Sequence, residues 1–302
     1  MISIIGVGKV GSAIAFMCGA SGISDLVLVN RDEKKAIGEA LDISPAIPAG
    51  SPISILGTSD CSKIAGSDIV VIAASVGTHL QKRTDMMREQ ASMMNDIALS
   101  VSEHAPNAKV LMVTNPVDVL TYVIQNKASL SPKNVIGVAS GLDSGRFRYV
   151  LSKELGTSQS NISGAMVMGE HDDTMVPIFS AAKYHTRPAT EFLDKDQMQR
   201  ISADVRNYWR LLRNYKGQSV FGIAKVTFDI IDAITHDRQL DTVASVLLGG
   251  EYGFSDVCMG VPITVGKAGV VAIRQVDISD DEYALLAESA TKVKDNIRML
   301  YG

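Results

Sequence analysis

Cysteine is scarce in this 302-residue chain, and long apolar runs are missing altogether. The three cysteines (Cys18, Cys61, Cys258) are odd in number and far apart, and no CxxC pair or His/Cys cluster occurs. Disulfide frameworks and structural zinc sites need such spacing, so the expectation is buried free thiols in a reducing compartment and no metal. No stretch reaches the roughly 20 apolar residues that a membrane-spanning helix requires. Met1 leads almost directly into an apolar strand and a glycine turn, which leaves no room for a signal peptide; the expected location is the cytoplasm. A surplus of positive charge is also lacking. Lys and Arg number 29 against 33 Asp and Glu, a formal net charge of −4. Phosphate backbones are bound by clustered cations, so neither a nucleic acid nor a membrane is expected as a partner. One tryptophan against thirteen methionines points to adaptable packing and nothing more specific.

What is present is ordinary for a globular protein: 46% apolar and 21% charged residues, with length enough for two domains. Ile2–Ile5 forms a short apolar strand. Gly6-Val7-Gly8-Lys9-Val10-Gly11 follows, and a helix-like segment begins at Ser12. A GxGxxG turn between strand and helix allows tight turning and close backbone approach, and the helix N-terminus attracts a pyrophosphate. The next strand, Leu26–Val29, ends at Asn30-Arg31-Asp32. Chains that bind NAD place an acid about 20 residues past the fingerprint, on the ribose hydroxyls. Here the strand ends on neutral Asn30, with Arg31, Lys34 and Lys35 close behind. A missing carboxylate removes repulsion toward a 2′-phosphate, and the cations could pair with one. Lys34 and Lys35 also fit a solvated helix face, and Asp32 could still serve the ribose. The expectation is use of both NAD and NADP.

Ile69–Ile72, residues 110–113 and residues 135–138 read as continuous apolar strands, the pattern of a parallel sheet covered on both faces. A helix over 85–104 carries Met94, Ile97, Ala98 and Val101 on one face. Alternation of strand and helix to about residue 140 predicts a doubly wound Rossmann domain at 1–140. An α+β catalytic domain is expected at 141–302. The stretch from Ala73 through Gly77 to Arg83, with His79 and Lys82, is a small-residue and basic loop at a strand's C-terminal edge, where open α/β sheets bind ligands. Asn115, in Thr114-Asn115-Pro116-Val117-Asp118, occupies a second such edge.

In the second half, Asp143 and Arg146 share a face if Asp143 opens a helix; Asp143 could orient a histidine while Arg146 forks onto a carboxylate. Gly169-Glu170-His171-Asp172-Asp173 supplies the histidine, whose unperturbed pKa near 6.5 suits proton transfer. Further on, a helix over 191–214 carries Arg200, Arg206, Arg210 and Arg213 on a solvated face. Another spans Phe221–Thr235, antiparallel strands lie near 243–248 and 261–265, and a capping box, Ser279 to Glu282, starts a last amphipathic helix.

Taken together, the fingerprint, Val113-Thr114-Asn115-Pro116-Val117-Asp118, Leu142-Asp143-Ser144-Gly145-Arg146-Phe147-Arg148, Gly169-Glu170-His171 and Gly260-Val261-Pro262 resemble the lactate/malate dehydrogenase family over essentially the whole chain. The resemblance is nearest to archaeal malate dehydrogenases of the lactate-dehydrogenase-like group. It implies a reversible hydride transfer between NAD(P)H and a small 2-ketoacid, with oxaloacetate and (S)-malate as the leading pair. By the same resemblance His171 is the proton donor and acceptor, Asp143 holds its tautomer, Arg146 clamps the substrate carboxylate, and Arg83 polarises the carbonyl. Asn115 contacts substrate and nicotinamide. Gly6, Gly8, Lys9, Val10 and Gly11 hold the cofactor with Asn30 and Arg31, and Ser219 lines the substrate pocket. A homo-oligomer is implied, a tetramer before a dimer. Two departures stand out. Gly77 occupies the place where malate dehydrogenases carry a second arginine, unless Lys82 or His79 substitutes from a shifted loop. Asp172 stands where glycine usually follows the histidine. Loose specificity that includes pyruvate is therefore expected. The alternatives are a lactate dehydrogenase or broad 2-ketoacid reductase and, from another class, a non-catalytic NAD-binding protein.

Overall fold

The computed structural model describes residues 1–77 and 86–301. Its first half runs β1 (Ile2–Ile5), α1 (Lys9–Ser21), β2 (Leu26–Val29), α2 (Glu33–Ile43), β3 (Ile55–Thr58), β4 (Ile69–Ile72), α3 (Met87–His104), β5 (Lys109–Met112), α4 (Val117–Lys127) and β6 (Val135–Gly137). The six strands pair in parallel in the order β3-β2-β1-β4-β5-β6. Successive side chains in a strand point to opposite faces, and the core divides accordingly. Ile2, Ile4, Leu26 and Leu28 pack with Ile14 and Cys18 of α1 and Ala36 and Ala40 of α2. Ile5, Val27, Val29, Val70 and Ile72 pack with Met94, Ala98 and Val101 of α3 and Leu120 and Val123 of α4. Every residue of β1, β2 and β4 is buried; β2 and β4 read as unbroken apolar runs, and β1 as a run interrupted only by Ser3, whose hydroxyl pairs with that of Ser67 at 2.6 Å.

Helix α5 (Ala139–Glu154) leads into the second half, with residues 140 and 141 in its first turn. There follow β7 (Ile162–Ser163), β8 (Met166–Met168), β9 (Val176–Ile178), β10 (Lys183–Tyr184), β11 (Arg187–Pro188), α6 (Lys195–Lys216), α7 (Phe221–Thr235), β12 (Leu240–Gly249), β13 (Ser255–Gly266), β14 (Gly269–Ile273) and α8 (Asp280–Tyr301). The antiparallel run β12-β13-β14 adds to β6 through the pair Ser245 and Gly137, making one nine-stranded sheet. The expected antiparallel strands near 243–248 and 261–265 are the centres of β12 and β13. The β8–β9 hairpin encloses residues 169–175 and is tied to the large sheet by a bridge between Gly169 and Gly260.

Helix α6 starts at Lys195 rather than 191 because Asp194 and Gln197 form a reciprocal capping box. The box at α8 is formed as the sequence predicts, Ser279 and Glu282 each holding the other's backbone N–H. Of the arginines assigned to the solvated face of α6, two do more than face water. Arg210 pairs with Asp173 at 3.0 Å, and Arg206 donates to the Met175 carbonyl at 3.2 Å, so both tether the loop between β8 and β9.

Candidate active site

The fingerprint turn is shaped by what each glycine can approach. Gly6 has φ +96° and a side chain there would collide with the backbone of Ala74; one at Gly11 would stand 2.0 Å from the Gly6 carbonyl. Only Gly8 opens onto free space, with nothing within 4 Å of where a Cβ would lie. Gly8 is also the N-cap of α1, and no side chain caps that helix. Uncapped N–H groups carrying the positive end of the helix dipole beside open space suit a pyrophosphate. Lys9 is exposed and Val10 half-buried at the same helix start.

At the end of β2, Asn30 donates its backbone N–H to Thr58 and Arg31 is exposed. Asp32 accepts the Lys35 N–H at 3.3 Å as the N-cap of α2, so part of its carboxylate is already engaged. Thr114 reaches across from the end of β5 to the Ala74 carbonyl at 2.6 Å and joins two strand ends. Next to it Asn115, followed by a cis peptide to Pro116, holds its side-chain oxygen shut off from water and without a hydrogen-bond partner among the described residues. A buried carbonyl oxygen costs free energy until a donor reaches it, and the carboxamide or ribose of a nicotinamide cofactor offers donors of that kind. The glycine cradle and this waiting acceptor fit a dinucleotide.

The acid–base cluster is deeper. His171, Asp143 and Arg146 are each no more than 7% exposed. Asp143 lies in the second turn of α5 rather than opening it, and Arg146 still follows on the same face. Asp143 Oδ2 pairs with His171 Nδ1 while its Oδ1 accepts from Arg146 Nη1 at 2.9 Å. A carboxylate facing Nδ1 keeps the proton on that nitrogen and fixes the ring's tautomer. The Arg146 guanidinium lies 5.3 Å from the centre of the Tyr208 ring of α6, a cation–π distance that holds its plane.

The main chain around the histidine is held from three sides. The His171 N–H donates to buried Asp118 in the first turn of α4 at 2.7 Å. The Glu170 N–H donates to Ser289 Oγ at 2.7 Å. The Glu170 carboxylate accepts from Thr174 at 2.5 Å and from Asn296 at 3.1 Å. Ser289 and Asn296 both belong to α8. None of Asp118, Glu170, Ser289, Asn296 or Tyr208 carries a role in the sequence reading. Asp118 sits in a quoted motif, and a buried acid at a helix start was the one available signal. Glu170 too sits in a quoted motif, directly before the histidine; Ser289, Asn296 and Tyr208 are distant in sequence and leave no pattern. Asp172 is half-exposed. Gly77 closes a small turn with Ser75, whose hydroxyl donates to the Gly77 carbonyl at 2.8 Å. Ser219 is half-buried between α6 and α7, with no hydrogen bond to the cluster among the described residues. His79, Lys82 and Arg83 lie outside the described residues.

Two family models cover the chain: the lactate/malate dehydrogenase NAD binding domain over residues 1–137 and the lactate/malate dehydrogenase alpha/beta C-terminal domain over residues 140–300. The chain belongs to the lactate/malate dehydrogenase family. A malate dehydrogenase of Staphylococcus carnosus is 35% identical to this family member over 97% of this chain and 96% of its own. The solved malate dehydrogenase of Aeropyrum pernix is 32% identical, with a TM-score of 0.92 and coverage of 99% and 98%. A Cryptosporidium parvum lactate dehydrogenase complexed with lactic acid and nicotinamide adenine dinucleotide is 31% identical, with a TM-score of 0.95 and coverage of 100% and 98%. This dehydrogenase therefore has the Rossmann sheet and following α/β half expected of it, and it belongs among oxidoreductases. Both activities named in the family occur among its relatives.

Proposed function

We propose that the protein is a malate dehydrogenase with loose specificity, interconverting oxaloacetate and (S)-malate and also accepting pyruvate. The observation that carries this reading is the buried line Arg146–Asp143–His171, a carboxylate-binding fork and a proton-transfer group joined by one carboxylate. NAD(H), held by Gly6, Gly8, Lys9, Val10, Gly11 and Asn115, supplies the hydride chemistry when bound. His171 gives a proton from Nε2 to the ketone oxygen in reduction and takes it back in oxidation. Asp143 stabilises the imidazolium formed in that return step. Arg146 has two terminal nitrogens and spends Nη1 on Asp143, which leaves the rest of its fork for the substrate C1 carboxylate. Arg83 is assigned the polarisation of the carbonyl, and Ser219 a place along the pocket wall.

Residues 1–140 are assigned cofactor binding and residues 141–302 catalysis. NADP(H) use alongside NAD(H) is supported by neutral Asn30, exposed Arg31 and the diversion of Asp32 into a helix cap. Assembly as a homo-oligomer is supported by exposed Phe16, Ile37 and Leu41 on α1 and α2, and the preference for a tetramer over a dimer rests on the family resemblance alone. A cytoplasmic setting is supported by three unpaired cysteines. The second reading, a lactate dehydrogenase or broad 2-ketoacid reductase, is favoured by Gly77, which brings no charge for a second carboxylate. Losing a buried charge pair of that kind costs a few kcal/mol of selectivity. Initial rates with oxaloacetate and pyruvate, each with NADH and NADPH, test the substrate and cofactor readings. Comparable rates with both acids support the reading. A selectivity of many thousandfold for either acid overturns the loose specificity, and absence of turnover with NADPH overturns dual cofactor use.

A further inference from the structure

We propose that Tyr208 is a positioning residue of the dehydrogenase site: the face of its ring sets the plane of the Arg146 guanidinium and so presents the fork that takes the substrate carboxylate. This inference rests on the role assigned to Arg146 above.

The placement starts in the packing of α6 on α5. Ile201 and Val205 are buried in one apolar cluster with Phe147 and Leu151 of α5. Residues three and four apart share a helix face, so Tyr208 follows Ile201 and Val205 on the side of α6 that meets α5. Arg146 and Tyr149 share a face of α5 for the same reason, and both reach the Tyr208 ring. The Arg146 guanidinium carbon stands over it, 5.3 Å from the ring centre. The Tyr149 ring meets it edge to face, with centres 6.2 Å apart and 90° between the planes. Lys153, one turn further along α5, lies over Tyr149 at 5.7 Å. A cation is drawn to the electron-rich face of an aromatic ring, and a planar guanidinium can stack there as an ammonium cannot.

Arg146 needs a constraint of this kind. It is 6% exposed, and among the described residues its guanidinium makes a single hydrogen bond, from Nη1 to Asp143 Oδ1 at 2.9 Å. One such bond fixes one corner of the fork and leaves its plane free to turn about that corner. Two parallel N–H···O bonds to a carboxylate form only when guanidinium and carboxylate are close to coplanar. The Tyr208 face removes the turning motion without occupying a donor. A hydrogen-bonding side chain in its place would consume one of the nitrogens that the substrate needs. Among the described residues the Tyr208 side chain has these ring contacts and no hydrogen bond, which puts the role on the ring and not on the hydroxyl.

The consequence for kinetics is specific. The C1 carboxylate keeps its charge throughout the reaction, so the fork binds ketoacid, transition state and hydroxyacid alike. Loss of such uniform binding raises KM and leaves kcat nearly unchanged.

Steady-state kinetics of point variants test this. Tyr208→Leu is expected to raise the KM for oxaloacetate about tenfold, with kcat within about threefold of the unaltered chain and NADH affinity, by fluorescence titration, within about twofold. Tyr208→Phe keeps the ring face and is expected to match the unaltered chain within about twofold in all three. Arg146→Lys removes the planar fork, so adding Tyr208→Leu to it is expected to lower kcat/KM by less than about twofold more, whereas a purely structural role would cost as much there as alone. Tyr208→Met, bulky but without a ring face, carries the same expectation should Tyr208→Leu lose NADH binding and with it the fold. An unchanged KM in the Leu or Met variant, equal impairment in the Phe variant, or the same loss in both Arg146 backgrounds would overturn the assignment. Absence of turnover by the unaltered chain with any 2-ketoacid would overturn the reading of Arg146 and this inference together. A working enzyme indifferent to Tyr208 overturns this inference alone.

Discussion

The two regions proposed here to hold cofactor and substrate are built in opposite ways. The fingerprint turn is local: residues 6–11 supply the cradle, the helix start and the open position at Gly8. The histidine seat is assembled from afar, with Asp118 on α4, Asp143 on α5, and Ser289 and Asn296 on α8 converging on residues 169–174. A local site stands or falls with its own backbone. A convergent one divides its precision among partners, so single losses there should be graded.

That contrast can be broken by experiment. The largest effect is expected from His171→Asn, which should lower kcat by about 10²–10⁴ while NADH affinity, measured by fluorescence titration, stays within about twofold. Gly11→Val should do the reverse. Its side chain would drive into the Gly6 carbonyl, and NADH affinity should fall about 100-fold or more, equivalent to about 2.7 kcal/mol or more. If either variant lost both properties equally, the two regions would not be separable. Asp118→Ala should reduce kcat about 10- to 100-fold, because it frees the His171 main chain and leaves a buried N–H unanswered, with NADH binding again spared. Ser289→Ala removes the acceptor of the Glu170 N–H and a longer contact with Thr174 Oγ1 at 3.2 Å, both at the far end of the seat. About 1 kcal/mol of stability and a kcat loss of only a few-fold are expected by thermal melting and initial rates.

The smallest effect is chemical and reads both regions at once. Burial pushes the Cys18 thiol, on α1, up to about 12, and burial reinforced by Asp118 and Asp256 raises Cys258 well above its ordinary value. Cys61 is raised by its partial burial and then by Asp60. A raised thiol pKa means that the reactive thiolate is scarce at pH 8 and grows only as pH climbs toward the shifted value. A thiol-specific chromogenic reagent at pH 8 should therefore modify Cys61 slowly and the other two only on unfolding. In a denaturant series, the order in which Cys18 and Cys258 become reactive reports which region loosens first.

The same contrast explains what could be read from the residue order alone. Strands β2 and β4 are buried on both faces, so their bounds show as uninterrupted apolar runs, and β1 departs from one only at Ser3. The edge strand β3 escaped notice because Gly57 and the exposed Leu56 break its pattern. Strands of two or three residues, such as β7, β10 and β11, are too short to hold a period. Asp143 and Arg146 were legible as a pair because helix geometry places residues three apart on one face. Nothing in sequence spacing links Glu170 to Ser289 or Asn296, and the duties of Arg206 and Arg210 depend on where the 169–175 loop comes to rest. The long-range half of the site is a property of the tertiary structure.

The hold of α8 on Glu170 also sets an order on events during synthesis. Ser289 and Asn296 are added to the growing chain 119 and 126 residues after Glu170. While those residues are still to be made, the nascent polypeptide already has everything needed for the parallel sheet and its glycine turn, and domains fold as they emerge. The segment that carries His171 has to wait for its clasp. A ribosome-bound chain could thus capture nucleotide before it has a seated histidine, and catalytic competence would come with the final helix.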